Sequence, residues 1–396
     1  MKKFLALMLA IVMAVACLAS CGNNATDTND TGKTDNTGDT AGATVFKIGG
    51  TGPLTGDAAI YGNAVKNAAE LAVKEINAKG GDIQFELKYE DDTHDAEKAV
   101  TAYNSLKDWG MQIFLGSVTS KPCEATSAES YEDRYFTLTP SASSTAVLEG
   151  KDNVFQMCFM DPNQGSASAQ YISDKKLGEK IAVIYKSDDV YSTGVLETFK
   201  TKAAELNLNI VSEQAFATGA DTDFTAQLKD AQAKGADLVF LPMYYTPASL
   251  ILTQADQMGY APAWFGVDGM DGILTIEGFD TSLAEGVMLL TPFNADSEDE
   301  ATKAFVETYQ STYGDIPNQF AADAYDCVYA IYQALEAGKA TADMDKEALS
   351  DLLVEQFTSM TFDGLTGEGM TWDETGAVTK SPKGMVIKDG AYVGLD

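Results

Sequence analysis

The residues best suited to chemistry in this chain are serines on short turns and one glycine-flanked aspartate. Thr139-Pro-Ser-Ala-Ser-Ser-Thr-Ala146 places small residues and hydroxyls directly after a short apolar run that begins at Tyr135. Small residues at a strand's carboxyl end let a ligand approach the backbone. Serine hydroxyls with the free N–H groups of a helix start can hold a carboxylate. An ordinary Ser-rich helix cap is the alternative use of the same residues. Asp268 lies between Gly266 and Gly269, where little side-chain bulk stands between its carboxylate and a cationic ligand. It could instead cap the turn that leads into Gly269.

Other chemistries lack their residues. The chain has a single histidine, His94, inside Asp91-Asp-Thr-His-Asp95, and the cysteines beyond the amino terminus form no pair at ligand spacing. Zinc chemistry and histidine-based triads therefore drop out, and no metal or cofactor is expected. His94 reads as part of a solvated loop that leads into the next helix. Gly49-Gly-Thr-Gly-Pro-Leu-Thr-Gly56 has the look of a phosphate loop, yet no Gly-Lys-Ser/Thr follows and Pro53 has no N–H to offer. A formal charge of −32 argues against nucleic acid and anionic lipid headgroups as partners. A hydrolase built on two carboxylates stays open on composition, because acids abound.

The amino terminus reads as a targeting signal. Met1-Lys-Lys3 is basic, and Phe4 to Leu18 is a nearly unbroken apolar run, too short to span a bilayer comfortably. It ends in Leu18-Ala-Ser-Cys21, which resembles the lipobox of bacterial lipoproteins. That resemblance implies a leader over residues 1–20, cleavage before Cys21, and a lipid on that cysteine that anchors the protein to the outer face of the cell membrane. Residues 21–44 are mostly Gly, Asn, Asp, Thr and Ala. They cannot bury enough surface to fold and should act as a tether, about 25 Å end to end if random. Cys123, Cys158 and Cys327 follow, an odd number that leaves at least one without a partner in the chain.

About 350 residues then remain, more than one hydrophobic core commonly serves. Their periodicity alternates strand and helix. Strands are expected at 45–50, 83–90, 112–118, 135–139 and 154–160, with helices at 62–79, 95–109 and 122–133 between them. A second series has strands at 180–185, 209–216, 237–241, 263–267 and 286–293 and helices at 192–206, 223–234 and 247–258. Helices at 298–313, 320–337 and 346–356 come next, and hairpin patterns around Thr375-Gly376 and Asp389-Gly390 close the chain. Such alternation implies parallel sheets built from βαβ units. The fold class is α/β, and two doubly wound lobes suit it better than one eight-unit barrel, because the alternation lapses late. Ligands in such lobes sit beyond the carboxyl ends of the strands.

Several motifs occur in a fixed order. They are the Lys47–Gly56 segment with Tyr61-Gly62, Glu75-Ile-Asn-Ala-Lys-Gly-Gly81, Tyr89-Glu-Asp-Asp92, Tyr131-Glu-Asp133 and Thr139-Pro-Ser-Ala-Ser143. Asp188-Asp-Val-Tyr191, Phe265-Gly-Val-Asp-Gly269, Ala324-Tyr-Asp326, Phe362–Gly367 and Thr371–Gly376 follow. From Val45 to Asp396 the chain thereby resembles the type I periplasmic-binding-protein family of ABC transporters, typified by the leucine/isoleucine/valine-binding protein. The resemblance implies two Rossmann-like lobes, residues 45–161 with 293–366 and residues 162–292 with 367–396, joined by a three-strand hinge around a ligand cleft. It implies a non-catalytic, monomeric receptor that closes on an amino acid of branched-chain type and delivers it to a membrane permease. A sensor feeding a signalling partner would use the same closure.

The resemblance also implies roles. Ser120, Ser141, Ala142 and Ser143 would hold the α-carboxylate. Asp268, with Tyr191 nearby, would take the α-ammonium, and Gly269 would permit close approach. Tyr61, Tyr244 and Phe320 would wall the side-chain pocket, core packing being the alternative for each aromatic. Two departures stand out. The typical member has a disulfide near the first lobe's cleft, where this chain has His94 and Thr119, so that staple is absent. Branched-chain binders often carry Glu where Asp268 stands, one methylene shorter.

Overall fold

Strand β1 (Thr44–Gly52) pairs in parallel with β2 (Ile83–Asp91) on one side and β3 (Ile113–Leu115) on the other. β4 (Thr137–Thr139) and β5 (Val154–Gln156) extend this sheet in the order β2-β1-β3-β4-β5, all parallel. Strand order reverses beside β1, which creates a switch point between β1 and β3 where a crevice opens. Helices α1 (Ala59–Ala78), α2 (Ala96–Trp109) and α3 (Ser120–Glu132) make the crossovers. α2 starts where its sequence says it should: the Asp95 carboxylate accepts from the Lys98 N–H, and Gly110 ends the helix in the left-handed region. This computed structural model describes residues 44–395. The leader, the lipid site Cys21 and the tether as far as Ala43 lie outside the described residues.

The second lobe repeats the plan. α4 (Asp161–Lys175) leads to β6 (Ile181–Lys186), α5 (Val190–Glu205), β7 (Ile210–Phe216), α6 (Thr225–Ala233), β8 (Leu238–Leu241), α7 (Tyr245–Gln257), β9 (Ala263–Gly266) and β10 (Met288–Thr291). These strands run β7-β6-β8-β9-β10 in parallel, the same winding as the first sheet. The sequence reading left residues 161–179 without an element, yet α4 packs closely along α5. Its buried face is Gln164, Gly165, Ser168, Ala169 and Ile172. A methyl at Gly165 would stand 2.3 Å from the Val195 carbonyl oxygen, so small residues bring the two backbones together. A face made of small residues carries little apolar periodicity.

The chain then returns to the first lobe through α8 (Glu300–Tyr313), α9 (Gln319–Gly338) and α10 (Lys346–Ser359). Cys327, Val328, Ile331 and Leu335 of α9 join Phe46, Val73 and Ile76 in the first lobe's core. β11 (Phe362–Gly364) and β12 (Gly367–Met370) form a small hairpin. Residues 367–378 were assigned by sequence to the second lobe, but they pack on the edge of the first sheet. Trp372 donates through Nε1 to the Gln156 carbonyl at 2.8 Å and lies against Phe357, while Gly376 accepts from the Gln156 N–H. Only β13 (Lys383–Lys388) and β14 (Ala391–Gly394) join the second sheet, antiparallel to β10 and to each other.

Three crossings therefore link the lobes, after β5, after β10 and before β13. Lys380 lies on the third. Its ammonium reaches Asp323 Oδ1 and Thr366 Oγ1 of the first lobe at 2.6 Å each, with both charged side chains almost fully buried. Asp326 beside it accepts from the N–H groups of Leu365 and Thr366. Cys123, Cys158 and Cys327 are all buried free thiols. Among the described residues no helix is long and apolar enough to cross a membrane.

Candidate functional site

The first wall of the cleft is built where β3 and β4 end. Ser120 is the first residue of α3, two residues earlier than periodicity suggested, so its N–H is one of the donors left without an intrahelical acceptor at the start of a 13-residue helix, and it bonds the Tyr244 hydroxyl. The turn Ser141–Ser144 leads only into a short 3-10 turn at Thr145–Val147, capped by Ser144. The anion-favouring helix terminus is thus that of α3, and the serine turn contributes side chains. Internal bonds hold it rigid. Thr139 donates its hydroxyl to the Ser117 carbonyl at 2.9 Å and accepts from the Ala142 N–H at 3.1 Å. Gln156 Nε2 donates to the carbonyls of Ala142 and Ser144, and the Ser141 hydroxyl donates to the Val118 carbonyl.

The second wall follows β6, β8 and β9. Asp268 comes directly after β9 by two residues and is 3% exposed. The Tyr191 hydroxyl donates to Asp268 Oδ1 at 2.6 Å and accepts from the Gly269 N–H at 2.9 Å. Tyr244 stacks on Tyr191, ring centres 4.8 Å apart. A Cβ at Gly269 would lie 2.6 Å from the Tyr191 hydroxyl oxygen and 2.9 Å from the Met243 carbonyl oxygen, so only glycine fits.

The two walls touch. Tyr61 of α1 donates its hydroxyl to the Gly269 carbonyl and accepts from the Tyr245 N–H at 3.3 Å. Its ring sits 4.6 Å from Phe320 and 5.6 Å from Tyr244. Thr246 donates to the Asp57 carbonyl at 2.8 Å, and Ile60 donates its N–H to the Tyr245 hydroxyl. Tyr61, Ser120, Ser141, Ser143, Tyr191, Tyr244, Asp268, Gly269 and Phe320 line one cavity with Val118 and Thr119. Ala142, the tenth candidate, lies behind the wall with its N–H and carbonyl both engaged. The enclosed space is about 10 Å³, room for one water. The lobes are closed on each other, and the aromatic rings both pack the interface and line the cleft.

Burial governs the electrostatics. Asp268 is pushed up to about 7, first by desolvation, against the Tyr191 hydrogen bond that favours its charge. His94 departs from the solvated loop expected of it. It is partly buried in a left-handed conformation, φ 61°, with Nδ1 2.8 Å from the Thr119 hydroxyl oxygen and its ring edge-on to Tyr244 at 5.5 Å. Desolvation, with Lys186 and Lys121 adding to it, lowers its pKa to about 4, so it is a neutral ring at pH 7. A hydrogen bond thus joins the two positions matched to the family disulfide. Sequence reasoning also passed over Thr119, Val118 and two buried acids near Tyr191 and Tyr244, Asp161 and Asp189. Asp189 lies inside the Asp188–Tyr191 motif, whereas Asp161 opens the helix that the sequence concealed.

Hydroxyls and a helix N-terminus lie on one side of this cavity and a carboxylate among aromatics on the other. The model of the periplasmic binding proteins matches residues 45–391. The chain belongs to the periplasmic-binding-protein family. This family member is 27% identical, over 78% of its length and 82% of the relative's, to the leucine-, isoleucine-, valine-, threonine- and alanine-binding protein of Pseudomonas aeruginosa. The branched-chain amino acid transporter substrate-binding protein LivJ of Streptococcus pneumoniae, in complex with isoleucine, superposes with a TM-score of 0.79. It is 27% identical, over 88% of this chain and 99% of its own. The same fold, at 19% identity and a TM-score of 0.79, occurs in a solute-binding protein of R. palustris in complex with benzoate, covering 89% of this chain and 95% of that one.

Proposed function

We propose that this protein is an extracytoplasmic solute receptor that captures a free amino acid between its lobes and passes it to an ABC permease. The carrying observation is the facing of the Ser120, Ser141 and Ser143 wall, with the α3 N-terminus, across one cavity from Asp268. The first wall takes the α-carboxylate and Asp268 takes the α-ammonium, because a zwitterion buried between closed lobes needs an ionised partner for its cation. Tyr61, Tyr244 and Phe320 enclose the side chain. Similarity to Leu/Ile/Val-type relatives favours a branched-chain ligand. An aromatic carboxylate is the second reading: benzoate fills the related fold, and the ring-lined cavity would accept another ring. It would leave Asp268 buried beside no cation.

A thermal-shift screen over the twenty L-amino acids and benzoate separates the two. A ligand bound only by the native state adds about 2.7 kcal/mol at one hundred times its dissociation constant. A shift with leucine, isoleucine or valine and none with benzoate is expected, and the reverse pattern would discard the amino-acid reading. Cys21 is proposed to hold the receptor to the membrane, since two or more acyl chains anchor stably where one does not. Incorporation of labelled fatty acid should vanish in Cys21→Ala, and undiminished labelling would refute the anchor.

A further inference from the structure

His94 is the only histidine of the chain, and the fold puts it where the two walls meet. The Asp91 and Asp92 carboxylates accept from the Thr93 and His94 N–H groups at 2.9 Å each. They hold both residues in the left-handed region, φ 51° and 61°, which histidine and asparagine enter more easily than most side chains. The imidazole is thereby aimed into the interface. Nδ1 lies 2.8 Å from the Thr119 hydroxyl oxygen on the first wall, and the ring meets Tyr244 of the second wall with centres 5.5 Å apart. Thr119 and Tyr244 both line the cavity. Tyr244 also bonds the Ser120 N–H and stacks on Tyr191, so the imidazole braces a ring that closes the cleft.

The charged groups that face His94 come from both lobes. The first lobe supplies Asp92 and Asp95 from the same loop, Asp57 from the segment before α1 and Lys121 from the first turn of α3. The second lobe supplies Lys186 at the end of β6. Separating the lobes takes Lys186 and Tyr244 away and lets water reach the ring. It leaves the imidazole beside three acidic side chains and one lysine. Loss of a nearby cation and gain of water both favour the imidazolium.

We infer that His94 is a positioning residue for closure: its neutral ring braces the two walls against each other, and a proton taken up there from solvent drives the lobes apart. The inference goes beyond the proposed amino-acid ligand, because it concerns the closed form whatever that form encloses. Burial first, then Lys186 and Lys121, hold the ring at about 4 in the closed form, against an ordinary 6.5. A base lowered in this way stabilises closure above its ordinary value, and that contribution is lost as pH falls toward 4. With the ordinary value restored in the open form, one proton accounts for an affinity loss of about eightfold between pH 7 and pH 5.5.

A single histidine makes the test direct, because in the untagged protein one Cε1–H resonance reports its titration. NMR titration of the ligand-free protein is expected to place His94 at about 5.5 or higher, and saturation with L-leucine to bring it to about 4.5 or below. A ligand-free value below about 5.5, or a value above about 4.5 on saturation, would overturn the inference. His94→Asn gives a second readout. Asparagine tolerates the left-handed backbone, and its amide nitrogen takes the place of Nδ1, yet it accepts no proton near neutrality. Calorimetry at pH 7 and pH 5.5 measures how far acid weakens binding in each protein. Acids that titrate in the cavity act on both proteins alike, so the comparison isolates His94. The acid-induced loss should be at least about twofold smaller in the variant, and a smaller difference would overturn the inference. If L-leucine gives no heat, each of the other L-amino acids and then benzoate serves as the probe. Binding of benzoate with no amino acid bound would discard the amino-acid reading and leave this test in place.

Discussion

Asp268 shows how much of the site is settled by single residues. It follows β9 by two residues, it is buried, and its carboxylate accepts from Tyr191, whose oxygen also fixes the Gly269 N–H. Asp268→Asn keeps this shape and removes the charge. Truncating one partner of a buried charged pair costs about 2–5 kcal/mol, or roughly 30-fold or more in affinity. Calorimetry on the folded variant is expected to show that loss with the preferred amino acid, and an affinity within threefold of wild type would place the ammonium elsewhere. Nine of the ten candidate residues line one cavity; eight of them lie in or beside a loop after a strand, where residue type reflects local need more than distant packing, and Phe320 opens α9 instead. Ala142 was misplaced because its backbone groups are used up by Thr139 and Gln156, which only the folded turn reveals. His94 was misread for a related reason. Its neighbours in sequence are acidic and solvated, while its neighbours in space are Thr119 and Tyr244.

At the scale of elements, the least legible part was the helix made of small residues. α4 shows Gly165, Ser168 and Ala169 to α5, and that contact depends on what the face lacks. Strand β3 was overextended for a different reason. The apolar run 112–118 continues past Leu115, but residues after it leave the ladder, and Val118 and Thr119 turn into the cavity. The third crossing was placed too early because Trp372 is drawn onto Phe357 and Gln156 by burial that no local pattern announces. Lys380 then fixes that crossing to α9. Lys380→Met would leave Asp323 and Asp326 buried without their cation, and removing one partner of such a pair costs about 3–5 kcal/mol. Urea unfolding of the ligand-free variant is expected to show a loss of that order, and a loss below about 1 kcal/mol would mean the lysine is dispensable.

At the scale of the molecule, both sheets wind in the same order, and the alternation of strand and helix was enough to reveal the class. The balance of charge was visible as well, though its placement was not. Burial pushes Asp92 and Asp268 up to about 7 and Asp189 and Asp271 up to about 6, from an ordinary value of 3.8. A carboxyl whose folded pKa is raised contributes stability that is full below its unfolded value and is lost as pH rises through the folded one. His94 works the other way. Lowered to about 4 from 6.5, it contributes above the unfolded value and loses that contribution as pH falls toward 4. Four acids outweigh one histidine, and a chain of charge −32 repels itself less when acidified. The ligand-free protein is therefore expected to melt at a higher temperature at pH 5 than at pH 8, and a lower melting temperature at pH 5 would contradict buried neutral acids.

Closure of two lobes on an amino acid is tested most directly by small-angle X-ray scattering of the purified protein, free and saturated with each L-amino acid in turn. The contacts from Tyr61 to Gly269 and from Thr246 to Asp57 define the closed form. A ligand that bridges the Ser120–Ser143 wall and Asp268 must favour that form over any in which the walls stand apart. The radius of gyration should fall on saturation with leucine, isoleucine or valine and stay unchanged with benzoate. An identical profile with and without a saturating amino acid would contradict capture by closure.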